Sequence, residues 1–75
     1  MAKYQNVRIE GIAFKPGEPW FLIRAQDRFA ADAIEAYANL VDGSVAPGMV
    51  ADVRQVAETV RRWQREHPDQ VKTPD

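Results

Sequence analysis

Apolar positions in the last third of the chain recur in steps of four, three, four and three: Met49, Val53, Val56, Val60 and Trp63. That spacing is the signature of a helix with a single face to bury, and it predicts a helix from about Pro47 to Glu66. A second amphipathic stretch precedes it. Phe29, Ala30, Ala33, Ile34, Tyr37, Leu40 and Val41 form a broad apolar face, with Asp27 as the expected N-cap of a helix running from Arg28 to about Val41. Asp42-Gly43 ends it, Gly43 being suited to the left-handed position after a helix. About five residues join the two helices, which should therefore form an antiparallel pair. Ser44 or Gly48 is the expected cap of the second helix, and Pro47 fits its first turn. His67-Pro68 stops it.

The N-terminal third alternates instead. Residues 4–14 read as a strand with Val7 and Ile9 on one parity and Ile12 and Phe14 on the other; Gly11 stands at the slip, where a β-bulge would restore one face. Lys15-Pro16-Gly17-Glu18-Pro19 is turn chemistry. Residues 20–25 read as a second strand, antiparallel to the first, with Phe21 and Ile23 toward the helices and Trp20 and Leu22 outward. The expected fold class is α+β: an N-terminal antiparallel β-hairpin followed by an antiparallel αα-hairpin, in the order ββαα. Residues 1–67 form the single domain. Residues 68–75 are an extended or disordered tail.

Size and composition narrow the function classes. Seventy-five residues without cysteine lie near the lower limit for a core that stands alone, and such chains often gain stability by self-association. A homo-oligomer is the expectation. Ten basic against eleven acidic residues are not the balance of a non-specific nucleic-acid binder, so nucleic acid is disfavoured. No apolar run reaches membrane-spanning length and no secretory signal opens the sequence; the expected location is the cytoplasm, or the host cytoplasm if the chain is phage-encoded. One histidine, His67, makes no metal site with companions. Asp32 and Glu35 read as solvent-facing carboxylates rather than an acid–base pair. With no nucleophile–base pair in view, no catalytic residue, metal or cofactor is expected.

Two clusters remain as binding candidates. Trp20 and Leu22, on the outward face of the second strand, would offer apolar side chains to a partner. Arg24 and Arg28 flank Asp27 where that strand meets the helix, and would grip a partner's carboxylate. Arg61, Arg62 and Arg65 around Trp63 read as a solvated basic face, with Glu58 and Arg62 as a favourable pair.

The segment Pro19-Trp20-Phe21-Leu22-Ile23-Arg24-Ala25-Gln26-Asp27-Arg28-Phe29-Ala30, with Ala33-Ile34-Glu35-Ala36-Tyr37, Trp63-Gln64 and the ending Val71-Lys72-Thr73-Pro74-Asp75, resembles a group of small, largely uncharacterised accessory proteins of tailed phages and prophages. The resemblance implies a short accessory phage protein and transfers no site residue. The expected function is thus a non-enzymatic protein-binding module that self-associates and docks on a host or phage protein. The alternative is a ribbon-helix-helix-like DNA-binding regulator. It rests on similar topology only, and its groove and phosphate contacts would be Arg8, Arg24 and Arg28.

Overall fold

The computed structural model describes residues 9–74. Two helices dominate them: α1 (Ala30–Val41) and α2 (Pro47–Glu66), followed by a single 3₁₀ turn at Pro68–Gln70. The helices pack on each other as a hairpin. Helix α1 starts two residues later than the sequence predicts. Asp27 still organises its entry, because the Asp27 carboxylate accepts from the Phe29 N–H at 2.8 Å and the Asp27 carbonyl accepts from the Ala30 N–H at 3.0 Å. Gly43 follows α1 with φ +89°, the left-handed conformation the sequence assigned to it. Helix α2 has the predicted bounds. Its N-cap is Ala46, which makes no side-chain capping bond, so neither Ser44 nor Gly48 plays that part; Pro47, at the first helical position, needs no N–H partner there.

The β-hairpin does not form. Among the described residues there is no strand, and the only bridge is an isolated parallel one between Asp27 and Lys72. The fold is an all-α hairpin, not α+β. The expected turn is present: Gly17 has φ +71°, and the Glu18 N–H donates to the Lys15 carbonyl at 3.0 Å. Its flanks do not pair. Pro19 removes a donor directly after the turn, and a two-stranded ribbon is marginal in water without a third strand or a packed face. Gly11, with φ +83°, lies in a turn with Glu10 rather than at a bulge. Residues 4–8 of the expected first strand, Arg8 included, lie outside the described residues.

The contact between helices is made of small side chains. The buried residues are Ala30, Ala31 and Ala38 of α1 and Val50 and Ala57 of α2, and among the described residues no large side chain is fully buried. Alanine on both sides lets the helices approach closely. The line of closest approach on α2 is therefore Val50, Ala57 and Gln64, spaced by sevens, with Val53 and Val60 half-buried beside it. Met49 and Val56, which the sequence placed on the seam, sit on its rim and remain exposed.

Residues after α2 are ordered against the start of α1. The Lys72 N–H donates to the Gln26 carbonyl at 2.9 Å, and the Arg28 N–H donates to the Lys72 carbonyl at 3.0 Å. Gln64 strengthens that junction, donating from Nε2 to the carbonyls of Ala25 and Asp27, each at 2.9 Å. The strap closes the open end of the hairpin, where α1 begins and α2 ends.

Candidate functional site

One edge of the hairpin is ionic. In an antiparallel pair the first turns of α1 lie level with the last turns of α2, and there Arg61 reaches across to Glu35 (2.7 Å) and Asp32 (3.4 Å) while holding Glu58 on its own helix at 2.9 Å. The Glu35 hydrogen bond and charge, with the hydrogen bonds to Asp32 and Glu58, outweigh burial and raise the Arg61 pKa above its ordinary value. Toward the other end, Arg54 bonds to Asn39 Oδ1 at 3.1 Å and pairs with Asp42 at 3.4 Å. An open cleft of about 390 Å³ lies beside Asp42 and Arg54. Glu58 thus pairs with Arg61, not with the predicted Arg62. Asp32 faces solvent as the sequence predicts and Glu35 is half exposed, and both reach the same guanidinium. Facing charges on the first turns of one helix and the last turns of the other are the signal that finds this set.

Apolar side chains are also exposed on the hairpin, outside this edge. At 3.6 residues per turn, Phe29, Ala33, Ala36 and Leu40 form a stripe on the side of α1 opposite Ala31 and Ala38. Every one of the four is exposed, Leu40 by 81% and Phe29 by 53%. Tyr37 flanks the stripe and is half exposed. Because the ionic edge occupies one side of the helix pair, Met49 and Val56 fall on the other, Val56 with 51% of its surface exposed.

The residues singled out from the sequence do not form one site. Trp20 is half-buried, its ring stacked on Phe14 with centroids 6.0 Å apart. Leu22 is exposed, but Phe21 is barer still at 73%, so the expected division of faces between the two is not kept. Arg24 is exposed. Arg28 lies with its guanidinium carbon 5.3 Å from the Phe29 ring centre and its Nη1 3.3 Å from Thr73 Oγ1. A ribbon-helix-helix arrangement needs a strand over residues 20–25 to enter a groove; those residues form none, and that topological similarity falls with the strand.

His67 closes α2. Its ring stacks on Trp63 at 4.6 Å between centroids, and Nδ1 lies 2.8 Å from the Trp63 carbonyl. A carbonyl only accepts, so Nδ1 carries the proton at that contact. Among the described residues no group of three or more His, Asp or Glu side chains is placed to hold a metal ion. No described helix is long and apolar enough to cross a membrane. No protein-family model, curated protein or solved structure matches the chain.

Proposed function

We propose that this chain is a small phage-type accessory protein that works as a non-enzymatic protein-binding module and associates with itself. One observation carries the reading. The hairpin buries alanines and a single valine, while Phe29, Tyr37, Leu40, Met49 and Val56 stay at its surface. Monomeric proteins rarely expose a contiguous apolar patch of more than a few hundred Å² unless it binds something. The charges of the ionic edge are engaged within the hairpin, Arg61 with Glu35, Asp32 and Glu58 and Arg54 with Asp42. Phe21 and Leu22, on the segment before α1, supply a second apolar surface for a heterologous partner.

Light scattering followed by pull-down from a host lysate tests this. The expected result is a solution mass above that of one chain, and a captured protein whose retention falls when Phe21→Ser or Leu22→Ser is introduced without loss of helicity. A monomer that captures nothing contradicts the reading.

A further inference from the structure

We infer that the backbone of residues 26–28 is a dock for an extended peptide segment of a partner protein, and that the strap after α2 occupies this dock in cis and gates it. The inference rests on the protein-binding reading above and names the form in which a partner segment is received.

The dock is fixed by bonds that do not involve the strap. Gln64 Nε2 holds the carbonyls of Ala25 and Asp27. The Asp27 N–H donates to the Arg24 carbonyl at 2.9 Å, and the Asp27 carboxylate takes the Phe29 N–H. On either side of Asp27 stand the Gln26 carbonyl and the Arg28 N–H. The strap engages both through one residue, Lys72, in a parallel bridge to Asp27. An acceptor and a donor two residues apart on a fixed backbone are what an exposed edge offers to an added strand. Because these are main-chain bonds, they select an extended chain with an N–H to give, and side chains only set a preference. Thr73, next to Lys72, receives a bond from Arg28 Nη1 at 3.3 Å, and half-buried Val71 precedes Lys72. The matching segment is therefore extended: an apolar residue, then any residue except proline, then a hydroxyl or carboxylate for Arg28.

The strap is the part that can leave. Between residues 68 and 74 Val71 is half-buried and the others are exposed. Its bridge to Asp27 is isolated, with no strand around it. Exposed backbone bonds with little packing open at lower free energy than the interior of a helix. Beside the strap lies an open cleft of about 360 Å³ bordered by Gln64, Arg65 and Val71, which gives an incoming chain access to the dock.

Fluorescence anisotropy tests this with a labelled peptide of residues 68–74, Pro-Asp-Gln-Val-Lys-Thr-Pro, added to the whole chain. Lys72→Pro in the chain removes the donor to Gln26. Val71 already has the extended conformation, φ −82° and ψ 132°, that a following proline requires. Apparent affinity scales with the fraction of molecules whose dock is open, so the peptide should bind the Lys72→Pro chain about tenfold more tightly than wild type. The same peptide carrying Lys72→Pro should not bind. Equal affinity for the two chains, or equal binding of the two peptides, overturns the dock. Where the Lys72→Pro chain loses helicity, hydrogen exchange of the wild type decides. The Arg28 and Lys72 amides should exchange about tenfold faster than amides inside α2, and exchange no faster than those overturns the gating strap. A wild-type chain that captures a protein from lysate, while the Lys72→Pro chain binds no peptide, overturns the dock and leaves the binding-module reading standing.

Discussion

The Gln64 side-chain amide donates to the Asp27 carbonyl at 2.9 Å, joining the last turn of α2 to the turn that opens α1. Its second hydrogen goes to the Ala25 carbonyl at the same distance. Gln64 lies on the inner line of α2 with Val50 and Ala57, a place where a polar residue is costly unless its donors are used. Here both are used, on carbonyls of a segment that no strand satisfies.

Gln64→Leu therefore takes the side-chain donor from the Ala25 carbonyl and leaves the Asp27 carbonyl with the Ala30 N–H. The expected cost is about 1–2 kcal/mol, read by urea unfolding. Hydrogen exchange should rise at Arg28 and Lys72, whose amide protons hold the strap. Unchanged exchange at those two amides contradicts the role given to Gln64.

Substituting Gly43→Ala tests the linker between helices. A Cβ at this position meets nothing within 4 Å, so any cost comes from the positive φ alone. We expect a loss of about 1 kcal/mol, with Gly43→Asn losing less because asparagine tolerates the left-handed region better. Equal stability of all three forms would show that the turn relaxes to another conformation.

The alanine contact is sensitive to volume. Ala38 and Ala57 are both fully buried between the helices. Ala38→Leu or Ala57→Leu should destabilise the hairpin by about 1–3 kcal/mol through forced separation of α1 and α2. A leucine at the exposed Ala51 should change stability little, and a comparable loss there argues against a close-packed alanine seam.

Arg61→Gln removes the link between Glu35, Asp32 and Glu58. The melting temperature should fall at low salt, and the difference from wild type should shrink as salt is raised, since exposed charges are screened. A salt-independent difference would mean that Arg61 acts through packing of its side-chain stem.

The helical half of the fold was legible in the sequence because its signals agree with one another. Apolar spacing, Gly43 after α1 and Pro47 at the start of α2 all point to the same two helices. The seam was legible only to within one residue. Val53, Val60 and Trp63 of the expected stripe are half-buried, but Met49 and Val56 are exposed while the smaller Val50 and Ala57 next to them are buried, so a reading weighted by bulk misses the innermost line. The strands were misread for a related reason. Alternation over a few residues around Trp20 satisfies the pattern of a strand, but two strands alone are marginal in water, and Pro19 removes a donor beside the turn. Trp20, expected on an open face, is half-buried, and the barer surfaces are Phe21 and Leu40. Their exposure follows from which helix face the alanines claim, and that choice is made in packing.

On the proposed self-associating function, the larger apolar side chains that the alanine seam leaves outside are covered by a second copy. Thermal unfolding across about a hundredfold range of protein concentration tests it most directly, because association that favours the folded state makes the midpoint depend on concentration. The account predicts a midpoint that rises with concentration in the wild type and stays fixed in Leu40→Glu. A wild-type midpoint that does not move would contradict it.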